Sequence, residues 1–283
     1  MNWTSPAITA ALDRWLEEDI GRGDLTAAAL EGRQGSAHWT AKQAGRFCGG
    51  PLAAALFRRL DPAVKVTPTV SEGAVVQPGQ HVLTLQGSAP ALLAGERTAL
   101  NLAMRLSGIA TATAAMVETL AGSGVQLADT RKTTPGLRVF EKYAVRCGGG
   151  VNHRMGLDDA AMLKENHLAW AGGMAQAIAT VRASAPWPSR VIVEAETEAQ
   201  AELAVRSGAD GVLLDEFSPE QLLGLVPRLR HVAEEGPRGA VVLEASGVNP
   251  SALQAYGATG IDLISTSAPI TRSSWLDLSM RYG

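Results

Sequence analysis

The sequence predicts an α/β protein in two parts, a compact α+β segment over residues 1–115 and an α/β barrel segment over 116–283, with the extreme C-terminus packing back on the first part. Three observations predict it. An amphipathic opening helix is followed by short strands and turns. A long helical stretch then closes the first part. From Val125 onward, short apolar runs alternate with helical stretches about six times, the texture of βα units around a parallel sheet.

In the first part, Ser5-Pro6 supplies a helix start, and Ile8, Leu12, Trp15 and Leu16 recur at helical spacing until Gly21 and Gly23. The stretches AHWTAKQAGRFCGG and VKVTPTVSEGAVVQPGQHVLTLQG read as short strands, with Pro78-Gly79 the clearest turn. The second of these also has the look of the small β-folds that carry biotin or lipoate. A carrier needs an attachment lysine at its hairpin tip, and no lysine lies between Lys65 and Lys132, so the segment reads as scaffold. ALLAGERTALNLAMRLSGIATATAAMVETLAGSG reads as helix, with Gly108 a candidate break.

The second part runs VQLADT, VFEKYAVRC, AAMLKEN, MAQAIATVRA, RVIVEAE, EAQAELAVRSG, GVLLDE, SPEQLLGLV, AVVLEAS, PSALQAYG and DLISTS. That number of repeats favours a closed or incomplete barrel over an open sheet. Each apolar run ends in polar residues: Asp129-Thr130-Arg131-Lys132, Lys164-Glu165-Asn166, Glu194-Ala195-Glu196, Asp215-Glu216, Ser246-Gly247 and Ser265-Thr266-Ser267. In βα barrels the strand C-termini form the active-site face, so these ends are expected to converge on one mouth.

Composition narrows the chemistry. A net charge of −3 disfavours a surface built for nucleic acid or anionic membrane, so any anion site is local. Of the lysines, Lys132, Lys142 and Lys164 fall between Asp129 and His167, a window that also holds His153. Two cysteines, Cys48 and Cys147, have no metal-ligand spacing and read as reduced structural thiols. The N-terminus lacks the pattern of a signal peptide and no uninterrupted apolar run reaches the roughly 18 residues of a membrane span, which gives a cytoplasmic expectation.

A mouth holding Arg131, Lys132, His153, Arg154 and Lys164 expects anions, because unpaired cations are costly to bury. Each of these residues could alternatively serve in a structural salt bridge; as a set they point to ligand. Glu194 and Asp215, on adjacent strands, are suited to a divalent cation such as Mg²⁺, bound directly or through water. Ser246-Gly247 before Asn249-Pro250, together with Ser267-Ala268 at the next strand end, has the form of a barrel phosphate site, although a plain βα turn has similar residues.

The stretch TRKTTPGLRVFEKYAVRCGGGVNHRMGLDDAAMLKENH closely resembles the central signature of quinolinate phosphoribosyltransferases. Further likeness lies in EEDIGRGDLT, GERTALN, GADGVLLDEFSPE, LEASG and GIDLIS, so it covers nearly the whole chain. The resemblance implies an N-terminal α+β open sandwich domain, an incomplete TIM-like α/β barrel, and a homodimer with shared active sites or a higher oligomer. It implies nicotinate mononucleotide formation from quinolinate and phosphoribosyl pyrophosphate, with release of CO₂ and pyrophosphate.

By the same resemblance, Arg131, His153 and Arg154 grip the quinolinate carboxylates, Lys164 lies near both substrates, and Arg97 enters from the neighbouring subunit. Lys132, Glu194 and Asp215 match positions handling the ribose pyrophosphate and Mg²⁺; Ser246 and Gly247 match part of the 5′-phosphate site, with Ser267 and Arg272 as further candidates. Lys132, Lys164, Glu194 and Asp215 are the candidate catalytic residues. The chain departs from the family pattern at Val248, where a second glycine is common, and across Thr266–Arg272, where Val-Gly-Ala-Leu-Thr-His is usual. Ile192 stands for a usual glutamate and Glu216 for a usual asparagine. A paralogue of the same fold from molybdenum-transport gene clusters is the nearest rival reading, disfavoured by the intact TRKTTPG and NHR segments; a non-catalytic phosphate-sensing barrel is the other.

Overall fold

A computed structural model describes residues 1–283 as two compact units. The first comprises Met1–Ala114, Thr134–Gly149 and Arg272–Gly283; the second comprises Ala115–Thr133 and Gly150–Thr271. The chain therefore leaves the first unit and returns to it twice.

Along the chain, α1 (Pro6–Ile20) starts at the expected proline and stops at Gly21, whose φ of 55° ends the helix. Ser5 precedes it in extended backbone, and its carbonyl, not its side chain, accepts the first helical bond. β1 (Gln34–Ala41) buries Ala37, Trp39 and Ala41 in strict alternation. β2 (Gly45–Arg46), α2 (Gly50–Leu60), β3 (Lys65–Pro68) and β4 (Val75–Val76) follow. Next comes β5 (His81–Ser88), which the Pro78-Gly79 turn introduces with Gly79 at φ 84°.

The long helix α3 (Ala89–Thr119) is unbroken at Gly108. A Cβ at that position would lie 2.0 Å from the Ser274 carbonyl oxygen, so the glycine serves close packing against the returning C-terminal segment and not a break. By length and composition α3 could cross a membrane. In this fold it is a core helix, with Leu92, Leu100, Leu106 and Ile109 all buried.

Then come β6 (Gln126–Ala128), α4 (Arg138–Cys147), β7 (Ala161–Leu163), α5 (Glu165–Trp170), α6 (Met174–Ser184) and β8 (Val191–Ala195). They are followed by α7 (Glu198–Arg206), β9 (Gly211–Asp215), α8 (Pro219–Glu234), β10 (Val242–Ser246), α9 (Leu253–Gly257), β11 (Leu263–Ser265), α10 (Ala268–Thr271) and β12 (Leu278–Tyr282). Thr197 and Ser218 cap α7 and α8, each answered by a glutamine three residues on.

The first unit is an antiparallel sheet of order β12-β1-β5-β3, with Trp39 facing Met280 on one side and Leu83 on the other. Trp39 and Phe57 pack edge to face beneath it, ring centres 6.5 Å apart. Helix α4 belongs to this unit: Phe140 meets Trp15 at 5.0 Å, and Tyr143 meets Trp3 at 5.1 Å. The sequence alone grouped α4 with the barrel, since its amphipathic pattern does not say which apolar layer it will cover.

The second unit is a six-stranded parallel sheet of order β6-β11-β10-β9-β8-β7. β6 and β7 are its two ends, so the barrel is incomplete as expected; Val151 adds a single parallel bridge to Ala128 beyond β6. Val193, Val212, Leu214, Leu243 and Ile264 pack outward against the helices in one apolar cluster.

Gly108→Ala is expected to destabilise the protein by about 2–3 kcal/mol despite alanine's better helix propensity, since the Cβ would overlap a backbone oxygen. A urea unfolding curve measures it; an unchanged midpoint would refute the close-packing account.

Candidate active site

The alternation of each parallel strand sets the site. With Val193 and Ala195 turned to the helices, Ile192 and Glu194 take the opposite face of β8. By the same rule Glu244 and Ser246 take that face of β10, and Asp215 ends β9. Sequence-predicted residues at successive strand C-termini are thereby brought to one end of one sheet.

Lys164, just after β7, directs its Nζ at Glu194 Oε2 in a close ion pair, the lysine side chain 44% and the glutamate 15% exposed. Its backbone N–H donates to His167 Nδ1 at 3.1 Å, which ties the start of α5 to the strand end. Asp215 lines a cavity of about 500 Å³ with Glu196, Glu216, Phe217 and Gln221, giving this mouth an acidic side. Opposite charge is supplied at β6. Arg131 and Lys132 lie exposed beyond it, with Lys132 N–H bound to Thr130 Oγ1 at 3.0 Å.

Asn152, His153 and Arg154 follow the Val151 bridge, and a buried carboxylate arranges them. Asp129, 2% exposed, accepts from Asn152 Nδ2 at 2.6 Å and from the His153 backbone N–H at 2.9 Å. The Arg154 backbone N–H donates to His153 Nδ1 at 2.7 Å, which leaves the proton on Nε2, facing Glu244 Oε2 at 3.2 Å. Both ring nitrogens of His153 are thus engaged within the protein, and a substrate contact from this ring requires Glu244 to give way.

Arg154 donates from Nη1 to the Ala160 carbonyl at 2.9 Å. Burial holds its guanidinium below the ordinary arginine value, and the neighbouring Arg131 cation pushes the same way. A partly buried guanidinium at a strand end is suited to an anionic ligand, which would offset that cost.

Arg154 and His153 also line a cavity of about 390 Å³ that continues toward the strand N-termini between Ile192, Gly211, Val242 and Leu263. Glu244 Oε1 is buried there without a hydrogen-bond partner. Ile192, where the family pattern has a glutamate, makes this interior more apolar.

The expected phosphate end is only partly built as the sequence suggested. Gly247 adopts φ 72°, and Val248 is 8% exposed within the apolar core, so its side chain does not obstruct the loop. Asn249 caps a short 3₁₀ turn, Pro250–Ala252, in place of a full α-helical start. At the next strand end, Thr266 Oγ1 accepts from Ala268 N–H at 3.2 Å, and the Ser267 carbonyl accepts from Ile270 and Thr271. Arg97, on α3, and Arg272 belong to the first unit and are exposed. Lys142 is also there, fully buried, so the lysine-rich window is split between units.

Sequence reasoning missed two positioning groups. Asp129 was read as one strand-end residue among several. Glu141, wholly buried, accepts from Arg105 at 2.8 Å and from both the backbone N–H and hydroxyl of Thr134, each at 2.8 Å, which fixes the turn before α4 within the first unit. The sequence offered one signal for Glu141, an acid soon after a Thr-Thr-Pro-Gly turn.

Two family models match the sequence: the quinolinate phosphoribosyl transferase N-terminal domain over residues 24–107 and its C-terminal domain over 109–281. The chain belongs to the quinolinate phosphoribosyltransferase family. A Synechocystis protein named probable nicotinate-nucleotide pyrophosphorylase (carboxylating) is 44% identical, covering 95% of this chain and 90% of that protein. The Homo sapiens nicotinate-nucleotide pyrophosphorylase (carboxylating) is 38% identical over 97% of this chain and 91% of its own. The solved nicotinate-nucleotide pyrophosphorylase of Francisella tularensis superposes with a TM-score of 0.89 at 35% identity, covering 98% of this chain and 96% of that one. The family's fold and the incomplete barrel therefore agree.

Glu216 is the one non-glycine residue with positive φ, at 60°, where the family pattern has asparagine. Asparagine tolerates this left-handed backbone better than glutamate, so Glu216→Asn is expected to stabilise the protein by about 1 kcal/mol. A lower thermal or urea midpoint in the variant would contradict the strain argument.

Proposed function

We propose that the chain transfers the phosphoribosyl group of phosphoribosyl pyrophosphate to quinolinate, giving nicotinate mononucleotide, pyrophosphate and CO₂ for NAD biosynthesis. The observation that carries this reading is the Asn152-His153-Arg154 loop, fixed at the sheet end by the buried Asp129, in a chain whose two halves both match the family. A pyridine dicarboxylate offers two adjacent anions to arginine side chains at such a rim.

In this reading Arg131 and Arg154 bind the quinolinate carboxylates, and His153 holds the Arg154 backbone in place. Lys164 stands between the substrates, its charge shared with Glu194. Lys132 and Asp215 face the ribose pyrophosphate, while Ser246, Gly247 and Ser267 meet the 5′-phosphate through backbone and hydroxyl donors. Arg97 reaches the site of a second copy in a homodimer, and Arg272 adds positive charge at the phosphate end.

The carboxylates of Glu194 and Asp215 are hard oxygen donors on neighbouring strands and fit a Mg²⁺ ion. When bound, the ion neutralises charge on the departing pyrophosphate. The protein's own part is orientation and fixed charge: the ring nitrogen attacks ribose C1 as the bond to the pyrophosphate oxygen breaks. The ring, now cationic, then accepts the electron pair left when the adjacent carboxylate departs as CO₂, and that carbon takes a proton. Residence in the cytoplasm suits this chemistry.

Purified protein supplied with both substrates and Mg²⁺ is expected to release equal amounts of CO₂ and pyrophosphate. Nicotinate in place of quinolinate should give little turnover, and comparable rates with both would overturn the assignment. Arg154→Ala should lower kcat/KM for quinolinate by roughly 100-fold, the loss of a charge-assisted contact. For the shared site, mixing Arg97→Ala with Lys132→Ala subunits should restore one working site per mixed dimer. Absence of any recovery, with mixed dimers demonstrated, would place Arg97 outside the partner's site.

A further inference from the structure

The chain's two cysteines meet in the first unit although they lie 99 positions apart in the numbering, 48 and 147. Cys48 stands just before the N-terminus of α2, and Cys147 is the last residue of α4. Their sulfur atoms and a Glu72 carboxylate oxygen all lie within 4.8 Å of one another. Cys48 is fully buried, its carbonyl and N–H both bound to Ser107 Oγ, and Cys147 is partly exposed.

Two chemistries suit such a cluster, a metal site and a dithiol, and Glu72 decides between them. Its carboxylate accepts from the Gly49 and Gly50 backbone N–H groups, both at 2.9 Å, and from the Tyr143 hydroxyl at 2.9 Å. Capping α2 and holding Tyr143 use most of its lone pairs. That leaves two sulfurs, too few for the four-coordinate site a thiolate metal prefers. The sulfurs themselves are adjacent, one buried and one reachable, the arrangement of an attacking and a resolving thiol.

We infer that Cys48 and Cys147 form a reversible intramolecular disulfide, with Cys147 the thiol that meets the oxidant and Cys48 the one that resolves it. A peroxide is the oxidant. The Cys147 thiolate attacks one peroxide oxygen, the O–O bond breaks, and hydroxide leaves, producing a sulfenic acid. Cys48 sulfur then attacks Cys147 sulfur, the S–O bond breaks, and water leaves with the Cys48 proton. Two thiols are oxidised and one peroxide is reduced to two waters.

The acidities run in the matching direction. A hydrogen bond from the Cys48 thiol lowers the Cys147 pKa, whereas burial pushes Cys48 up. The bond would join the loop before α2 to the end of α4, from which Gly148, Gly149 and Gly150 lead to Asn152-His153-Arg154.

The test uses the full chain, reduced and then exposed to hydrogen peroxide. Free thiols are counted after denaturation, and the intact mass is measured. Loss of both thiols is expected, with a mass lower by two hydrogens, monomer mobility on a non-reducing gel, and recovery of both thiols by dithiothreitol. Cys48→Ser protein, or Cys48→Ala if the serine does not fold, should instead gain oxygen at Cys147; in Cys147→Ser protein the Cys48 thiol should persist. Survival of both thiols in the peroxide-treated parent, a disulfide between chains, preferential oxygen uptake at Cys48, or stoichiometric zinc held by the pair would each overturn the inference.

Discussion

The buried Asp129 carboxylate is the constraint on which the cationic loop of the second unit depends. A buried carboxylate has to be answered by donors, and here Asn152 and the His153 backbone answer it. Arg154 is fixed by its N–H on the His153 ring, by its Nη1 on Ala160, and by a loop that Asp129 anchors through two hydrogen bonds. The charge balance within this unit is local: Glu194 neutralises Lys164 at the neighbouring strand end, while the Arg154 guanidinium bonds a backbone carbonyl and no carboxylate.

This arrangement explains how far the sequence could be read. Strand and helix periods gave the parallel order of parts, and the polar run ends marked the mouth, since the side chains of parallel strands point by strict alternation. What the periods do not encode is long-range partnership. Helix α4 has an amphipathic face of the kind a barrel helix shows, yet Trp3 and Trp15, more than a hundred residues upstream, claim it. Gly108 gave a local signal for a break and has a tertiary reason for being there, the Ser274 carbonyl. Lys142 belonged to a suggestive lysine cluster in sequence but is buried in the other unit.

The departures from the family pattern separate by what each side chain meets. Val248 is absorbed by the core, so the loop that Gly247 opens at positive φ keeps its form. Glu216 retains a left-handed backbone better suited to asparagine, and its Cγ sits where a Cβ on Gly247 would come within 2.9 Å. The two positions are therefore coupled: a longer side chain at 216 is tolerable only while 247 has none.

Ile192 acts differently, because it removes a carboxylate from the face that carries Glu194 and Glu244. Lys164 is committed to Glu194 and His153 to Glu244, so a third acid on that face would need a donor of its own. One oxygen of Glu244 lacks a partner even so. Isoleucine in place of the third acid reduces negative charge in the cavity that Arg154 lines and leaves apolar wall there. Arg154, which lines the same cavity, therefore faces one carboxylate fewer than it would with an acid at position 192.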